Sequence, residues 1–413
     1  MAEIKPFRGI LYNREKIDIA KVITPPYDVI SPSMQNRFYQ RDEHNIIRLI
    51  LGKAENNNTS KSNRYARARV LLDRWMKKKF LVKDGKPAIY IYTQEYLYKG
   101  KKRTRLGFIA LMKIEDPKES GILPHEYTLD KPKADRLNLI VKTKANLSPI
   151  FSLFQDKKNQ INKLLKHFIK SKDPLFTIEA DGVIHKFWRM NNKYAINSIK
   201  KYMRDKKIFI ADGHHRYEVA LAYRNKMRRN LKSFKKPMDY VMMYFSNLSE
   251  RGSLTILSTH RVVKNINQFD EKKIKLKLRK YFYIKNLTKQ EDLLECLEKT
   301  EKKKRVFGMY MGKKRFYLLT SKETRPKFDV TVLHDLIINE ILGVKNRASS
   351  IKYIRNEEDA IRLIDKGDYK IAFFLRPTRV HQMKAVAEKG QMMPQKSTYF
   401  YPKLLTGLVI NKF

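Results

Sequence analysis

The feature that most constrains this chain is a polar turn between an apolar strand and a helix, in the stretch IFIADGHHRYEVALAYRNKM at residues 208–227. A strand is predicted at 207–211 because the run IFIA is short, rich in β-branched and aromatic residues, and bounded by polar residues. Beyond the turn, apolar residues recur at helical spacing, at Tyr217, Ala220, Leu221 and Tyr223. Residues 212–216 are therefore predicted to form a strand-to-helix turn.

This turn has the chemistry of an anion-binding site. The first N–H groups of a helix lack intrahelical acceptors, and the helix dipole favours negative charge beside them. Gly213 allows the backbone to approach a ligand closely. His214, His215 and Arg216 add donors, and an arginine suits bidentate phosphate contact. Asp212 either caps the helix or orients a metal ion or a hydroxyl group. We expect the turn to bind phosphate and to line a pocket.

Two alternatives apply to the same residues. In a purely structural alternative, Asp212 is an N-cap, the histidines are first-turn residues and Arg216 pairs with a carboxylate. In a zinc site, His214 and His215 would share one ion, but adjacent helical residues project about 100° apart and disfavour this. Mg²⁺ shared between Asp212 and the phosphates of a ligand agrees better with its preference for oxygen.

Three other polar turns contain candidate site residues. Asp28 follows two prolines in PPYDVIS, and it is either a fixed carboxylate or a turn residue that bonds its own backbone. Glu126 lies in the mixed-charge stretch LPHEYTLDKPKADR, either an active-site lid or a surface loop. Lys396 lies in MPQKSTYFYPK near the C-terminus, which is expected to return over the pocket. We predict that at least two of these residues come near the histidine turn, because phosphoryl transfer needs a base and extra cations around its anion site.

Strand and helix patterns alternate along the chain without strict order, which predicts an α+β fold with a mixed sheet. The stretch 45–52 is predicted as a strand, 54–63 as a polar flexible loop, and the β-rich runs on either side of residues 99–101 as a hairpin. Lysine-rich helical sequence begins near 264. We therefore predict a catalytic domain at 1–263 and a C-terminal α/β domain at 264–413, whose tail covers the site.

Composition limits the possible functions. A single cysteine, Cys296, excludes an intrachain disulfide and cysteine-rich zinc sites. No apolar run approaches the roughly 18–20 residues needed to cross a bilayer, and the start lacks a signal-peptide pattern, so a cytoplasmic location is expected. Lys and Arg total 89 against 42 Asp and Glu, for a net charge of +47. These cations are spread over the chain, which favours nonspecific polyanion binding over a dedicated nucleic-acid surface.

The stretch IADGHHRY resembles the Asp-Gly-His-His-Arg turn of free-serine kinases built on the fold shared by ParB partitioning proteins and sulfiredoxin. Nearly the full chain also resembles the family known as domain of unknown function 1015. The matching stretches, in order, are IKPFRGILYN, PPYDVIS, NIIRLILG, LPHEYTL, KANLSPIF, IADGHHRYE and MPQKSTYFYPKLLTGLVIN. These resemblances imply ParB/sulfiredoxin-like elements in the core and a turn that holds nucleotide phosphates. Tyr127 departs from the arginine expected in the fourth stretch, and any substrate-anion contact of that arginine would be missing here.

Two functions remain open at this stage. The first is a phosphotransferase that uses ATP or ADP with Mg²⁺ and acts on a small hydroxyl metabolite, with serine or phosphoserine implied by the resemblance. Asp28 or Glu126 would be its base, His215 would act in catalysis, and the phosphate contacts would come from Asp212, Gly213, His214, His215, Arg216 and Lys396. The second is a ParB-like regulatory protein that binds nucleotide or nucleic acid. No convincing helix-turn-helix or aromatic stacking platform supports it.

Overall fold

The computed structural model describes residues 2–54, 63–229, 236–250, 252–267, 269–301, 304–323, 328–344 and 347–413. The loop predicted at 54–63 therefore falls almost wholly outside the described residues. The chain forms two compact units. The first unit comprises Met1–Pro124, Thr128–Thr255 and Phe400–Phe413, and the second comprises His125–Tyr127 and Ile256–Tyr399. No helix in the described ranges is both long enough and apolar enough to span a membrane.

The strands of the described residues are short in most cases. They are β1 (Ile4–Lys5), β2 (Ile10–Tyr12), β3 (Leu81–Lys83), β4 (Ile89–Tyr98), β5 (Lys101–Lys113), β6 (Ile122–Leu123), β7 (Ala145–Asn146), β8 (Ile150–Phe154), β9 (Phe176–Ala180), β10 (Val183–Met190), β11 (Ile208–Asp212), β12 (Tyr240–Asn247), β13 (Thr255–Leu257), β14 (His260–Val263), β15 (Phe282–Leu287), β16 (Val306–Tyr310), β17 (Phe316–Ser321), β18 (Ile351–Ile354), β19 (Ile371–Phe374), β20 (Tyr399–Tyr401) and β21 (Asn411–Lys412).

The helices alternate with these strands. They are α1 (Ile19–Val22), α2 (Pro32–Arg41), α3 (Ile47–Ile50), α4 (Arg64–Lys77), α5 (Asp130–Thr143), α6 (Gln160–Lys170), α7 (Lys193–Met203), α8 (His214–Arg229), α9 (Glu271–Arg279), α10 (Gln290–Lys299), α11 (Asp329–Val332), α12 (Arg347–Ser350), α13 (Glu357–Asp365) and α14 (Val380–Glu388). Tyr27–Val29 and Pro237–Asp239 form 3₁₀ turns, and Leu333–Ile341 forms a π-helix.

A mixed sheet forms the centre of the first unit. Its main path runs β6-β11-β8-β12-β5-β4-β10-β9, and β1 pairs with β5. The β6–β11 and β8–β12 pairs are parallel, whereas the remaining pairs are antiparallel. The sheet confirms the predicted α+β class, and β4 and β5 confirm the predicted hairpin.

The apolar run before the polar turn is buried because β11 lies inside this sheet. Ile208, Phe209, Ile210 and Ala211 are each at most 3% exposed. Residues of α6, α7 and α8 join β11 in one apolar cluster that covers a face of the sheet. Burial on both faces explains why the strand shows continuous apolar sequence instead of alternation.

The second unit has its own core. Its antiparallel sheet runs β15-β17-β16-β19-β14-β18. One apolar cluster combines strand residues with α9 and the π-helix, and another combines them with α10 and α13. The sheet is therefore packed on both of its faces.

The strand predicted at 45–52 is wrong, because this stretch contains α3. The side chain of Asn45 accepts a hydrogen bond from the N–H of Ile47 at 2.9 Å and donates to the Lys21 carbonyl at 2.6 Å. Ile47 and Ile50 are buried in the resulting helical turn. A short apolar run does not distinguish a buried strand from a buried helical turn, and here the hydrogen bonds of the Asn45 side chain favour the helical turn.

The chain passes from the first unit to the second after Thr255, and its C-terminal residues belong to the first unit again. There, β21 pairs with β7, and Ile410 and Thr406 form isolated bridges to Ile10 and Thr24. The C-terminal tail (Phe400–Phe413) is thus a structural part of the first unit.

Candidate functional site

The polar turn lies between β11 and α8. Asp212 ends the strand, Gly213 has a φ of 95°, and the helix begins at His214. The N–H of Tyr217 donates to the Gly213 carbonyl at 3.0 Å, which closes the first helical turn. The strand-to-helix prediction is therefore confirmed.

Two observations favour glycine at position 213. Its positive φ disfavours side chains. In addition, a Cβ there would lie 2.8 Å from Nη2 and 2.9 Å from both Cζ and Nε of Arg216. The guanidinium group folds back over the glycine, so a side chain at 213 would require the end of Arg216 to shift.

Asp212 is held between two cations. Its Oδ2 accepts a hydrogen bond from Arg216 Nη2 at 2.9 Å, and its Oδ1 accepts from Lys403 Nζ at 2.6 Å. The side chains are 19% (Asp212), 12% (Arg216) and 10% (Lys403) exposed. In these two ion pairs one carboxylate faces two cations, beside the positive end of the helix dipole.

Magnesium, predicted at Asp212, fits this arrangement poorly as a resident ion. Both carboxylate oxygens bond to cations, and Mg²⁺ would have to displace one of them. No group of three or more His, Cys, Asp or Glu side chains able to hold a metal ion occurs in the described part of the chain. The magnesium site at Asp212 stays a prediction.

Arg216 also connects the turn to a cavity. Its Nη1 donates to Ser148 Oγ at 3.2 Å and to the carbonyl of Pro149. The cavity has a volume of about 60 Å³ and is lined by polar side chains that include Arg136, Asn146, Ser148 and Arg216, together with apolar residues. Arg216 pairs with the Asp212 carboxylate, as the structural alternative predicts. It also lines a cavity, as the anion-site hypothesis predicts.

The histidines have different environments. The N–H of Leu129, at the start of α5, donates to His215 Nε2 at 2.8 Å, so this nitrogen is the acceptor and carries no proton. His214 is buried, with 8% of its surface exposed. In the same helix, Glu218 accepts from Thr128 Oγ1 at 2.8 Å. His215 therefore links α8 to the beginning of α5, and the phosphate and catalytic roles of both histidines stay predictions.

Asp28 lies in the first unit and is the exposed residue of the 3₁₀ turn Tyr27–Val29. The ring of the neighbouring Tyr27 packs against the Arg136 guanidinium group, with 4.0 Å between the guanidinium carbon and the ring centroid. Arg136 lines the same cavity as Arg216. The contact between Tyr27 and Arg136 thus connects the turn that contains Asp28 to the wall of the cavity.

Glu126 and Lys396 are brought together in the second unit. Glu126 Oε1 accepts a hydrogen bond from the backbone N–H of Lys396, which has a φ of 54°. His125 Nε2 lies 2.9 Å from Thr398 Oγ1, and the N–H of Met393 donates to the His125 carbonyl at 2.8 Å. The predicted contribution of these residues to the histidine turn stays a prediction.

Lys403 is a candidate site residue that the sequence reasoning missed. The segment before it is held by Arg105, which is 0% exposed and donates to Gln94 Oε1 at 3.0 Å and to the Pro402 carbonyl. Gln94 Nε2 in turn donates to the Lys403 carbonyl at 2.9 Å. The sequence signal for Lys403 is its place in the motif MPQKSTYFYPK, in which Lys396 is the predicted site residue.

The solved structures that match this chain do so at low sequence identity and with low TM-scores. A free serine kinase in complex with AMP is 14% identical with a TM-score of 0.34, covering 68% of this chain and 83% of its own. A mutant free serine kinase in complex with ADP is 13% identical with a TM-score of 0.36, and the covered shares are 68% and 84%. C-terminally truncated SbnI from Staphylococcus aureus is 12% identical with a TM-score of 0.38, and the shares are 72% and 85%. No curated protein matches the chain.

A family model matches residues 4–340. The matched region contains Asp28, Glu126 and the whole turn at 212–216, and it confirms the family resemblance, with six of the seven quoted stretches inside the match and the C-terminal stretch beyond it. Since the match covers well over half of the sequence, the chain belongs to the family described as Protein of unknown function (DUF1015).

Proposed function

We propose that this chain is a nucleotide-dependent phosphotransferase that moves a phosphoryl group between ATP or ADP and a small hydroxyl metabolite, with serine as the first candidate. The observation that carries the proposal is the cationic turn at the start of α8, where Arg216 and Lys403 flank Asp212 beside a cavity. Phosphoryl transfer depends mainly on positioning and on electrostatic stabilisation of negative oxygens. A pre-formed excess of positive charge at a helix start supplies both.

The two cations have different tasks in this proposal. Arg216 is bonded to Asp212, Ser148 and the Pro149 carbonyl, so it fixes the shape of the turn. Lys403 brings a compact positive charge to the same carboxylate from the C-terminal tail. A phosphate group that approaches the helix start therefore encounters an ammonium group and a guanidinium group whose positions are already fixed, which reduces the entropy cost of binding.

Asp212 keeps these cations oriented before the nucleotide arrives. Because both of its oxygens are engaged, Mg²⁺ is expected to enter bound to the nucleotide phosphates. The ion would then neutralise part of the phosphate charge, while the chain's own cations hold the remaining oxygens.

We assign the base to Asp28 in preference to Glu126. Asp28 is exposed in a turn that contacts Arg136, a residue of the cavity wall, through Tyr27. Glu126 instead accepts a hydrogen bond from the Lys396 backbone in the second unit. In this role Asp28 would accept the proton of the attacking hydroxyl group.

The central test is Lys403→Met with Lys412→Met as its control. Both lysines lie on the C-terminal tail and pair with an aspartate at 2.6 Å, Lys403 with Asp212 and Lys412 with Asp73. Loss of a charge-assisted contact worth about 1.5–3 kcal/mol should weaken ADP and ATP binding roughly ten- to a hundred-fold in Lys403→Met alone. The measurement is calorimetric titration with Mg²⁺ present. Equal binding by wild type and Lys403→Met would contradict the proposal.

A second experiment tests the reaction itself and the base. Phosphate transfer to serine and related hydroxy compounds is followed by ³¹P NMR. Asp28→Asn should slow transfer by roughly 10²–10⁴-fold and leave nucleotide affinity intact, whereas Glu126→Gln should retain transfer. Loss of transfer in Glu126→Gln alone would reverse the assignment. DNA binding with a steep salt dependence, without nucleotide binding, would instead favour the regulatory alternative.

A further inference from the structure

A fully buried arginine lies in the core of the second unit. Arg261, on β14, is 1% exposed. Its Nε donates to His334 Nε2 at 3.4 Å, Nη1 donates to the Thr259 carbonyl, and Nη2 donates to the Lys396 carbonyl at 3.1 Å. All of these acceptors are neutral.

The contacts of this guanidinium group are neutral ones, and they include the Tyr353 ring, with 5.3 Å between the guanidinium carbon and the ring centroid. Among the described residues, it makes no ion pair with a carboxylate within 4.0 Å. Burial lowers its pKa to about 10, although Tyr353 and Glu126 act in the opposite direction. A buried charge is costly unless it is paired, so this position is suited to an anion supplied from outside.

A cavity lies beside this guanidinium group. It has a volume of about 20 Å³ and includes Arg261, Arg376 and Asp329 in its lining. Two arginines against one aspartate leave a net charge of +1 on the lining side chains. Hydroxyl and amide groups complete the polar lining, from Thr259, Thr378, Ser397 and Gln382.

The second cation is already partly neutralised. Arg376 Nη2 lies 3.5 Å from Asp329 Oδ2, and Arg305 lies at 3.5 Å from the same carboxylate. Burial raises the pKa of Asp329 even though Arg376 and Arg305 act to lower it. Arg261 is therefore the arginine of the cavity lining that makes no ion pair with a carboxylate of the described residues, whereas Arg376 shares Asp329 with Arg305.

We propose that this cavity binds the carboxylate group of a small molecule, with Arg261 as its anchor. The planar fork of a guanidinium group matches a planar carboxylate in two parallel hydrogen bonds. The volume of about 20 Å³ is slightly above the ~10–15 Å³ that one water molecule needs, so at most the carboxylate head of a ligand enters and a nucleotide is excluded. The site belongs to the second unit and is separate from the turn at the start of α8.

The test uses the full-length chain with sodium acetate as probe, at constant ionic strength maintained with sodium chloride. Hydrogen exchange is measured in the peptides that contain the lining residues of β14, the start of α11, residues 375–382 and residues 393–397. Acetate should slow exchange there and leave the turn at 212–216 unchanged. Inorganic phosphate should protect the same peptides less at equal concentration.

The variants are Arg261→Lys, Thr259→Val and the control Arg362→Gln. Arg261→Lys keeps the charge but removes the fork, so acetate affinity should fall at least about ten-fold. Thr259→Val changes only a lining hydroxyl group and should cost roughly two- to ten-fold, which preserves the test if Arg261→Lys does not fold. Arg362, on α13, is 63% exposed and paired with Asp359, so its variant should bind acetate like wild type.

Three results would overturn the proposal. The first is the absence of local protection by acetate in wild type, and the second is tighter binding of phosphate than of acetate. The third is acetate affinity that is unchanged in both Arg261→Lys and Thr259→Val. Nucleotide binding at the turn is independent of all three, so failure here leaves the phosphotransferase proposal standing.

Discussion

The substitution Gly213→Ala tests the geometry of the turn most directly. A non-glycine residue in the left-handed region costs about 1–2 kcal/mol, and the φ of 95° at Gly213 lies in this positive range. The new Cβ would also lie 2.8–2.9 Å from atoms of the Arg216 guanidinium group. Favourable carbon contacts begin near 3.5 Å, so the guanidinium group has to move by about 0.6 Å or more.

This movement disrupts the bonds that hold Arg216. Its contacts with Asp212, Ser148 and the Pro149 carbonyl are the ones at risk. Loss of one hydrogen bond to a charged group costs about 1.5–3 kcal/mol. Added to the backbone cost, Gly213→Ala should lower the free energy of unfolding by roughly 2.5–5 kcal/mol.

A matched control and a double-mutant cycle separate the two contributions. Gly182 has a φ of 70°, and a Cβ at this residue would have no atom within 4 Å, so Gly182→Ala should cost only the backbone term of about 1–2 kcal/mol. In an Arg216→Ala background the clash at Gly213 disappears. There, Gly213→Ala should also cost only about 1–2 kcal/mol, for a coupling of roughly 1.5–3 kcal/mol.

The assay is urea unfolding followed by tryptophan fluorescence. The chain has two tryptophans, Trp75 and Trp188, and both belong to the first unit, so the signal reports the unit that contains the turn. Additive costs for the Gly213 and Arg216 substitutions, within about 0.5 kcal/mol, would refute the steric argument. The same holds if Gly213→Ala destabilises no more than Gly182→Ala.

Two further predictions concern the interior of the first unit. Burial and the charge of Arg105 lower the pKa of His185 to about 3, while its unfolded pKa is near 6.5. The unfolded state alone binds the proton between these values, so unfolding free energy should fall by about 1.4 kcal/mol per pH unit as pH decreases through this window. His185→Gln should remove that contribution in pH-dependent urea titrations, and the exposed His167→Gln should not. Separately, Arg105→Met should accelerate hydrogen exchange around Pro402 and Lys403, because it removes the donors that hold this backbone; unchanged exchange there would show that Arg105 does not position Lys403.

Local signals were sufficient to predict the strand, the turn and the helix around 208–227. The apolar run, the glycine and the helical spacing act over a few residues, and each has one favourable conformation. The hairpin between β4 and β5 is similar, since Lys99 and Gly100 adopt φ values of 50° and 71° that a tight turn requires. The strand prediction at 45–52 was wrong because the conformation there depends on the Asn45 side chain and on its contact with the Lys21 carbonyl.

Contacts between distant residues could not be predicted in the same way. Lys403 and Asp212 are 191 residues apart, and Lys396 and Glu126 are 270 residues apart. Nothing in the composition of either segment indicates which lysine of the C-terminal motif meets which carboxylate. The pairing of the C-terminal tail within the first unit brings Lys403 to Asp212. Long-range strand pairing of this kind leaves no local signal in a single sequence.

The excess of basic over acidic residues bears on the proposed role of the Lys403–Asp212 ion pair. With 89 basic and 42 acidic residues, the chain has too few carboxylates to neutralise its cations one by one. Shared carboxylates are the result: Asp212 contacts Arg216 and Lys403, Asp135 contacts Arg64 and Arg136, and Asp329 contacts Arg305 and Arg376. Each group keeps a net positive charge, and on the surface water and salt screen that charge at little cost. Beside a cavity such screening is weaker, so a bound anion can take the place of the missing second carboxylate. Under the two proposals above, the basic composition serves ligand binding where an arginine of a shared carboxylate lines a cavity, as Arg216, Arg136 and Arg376 do.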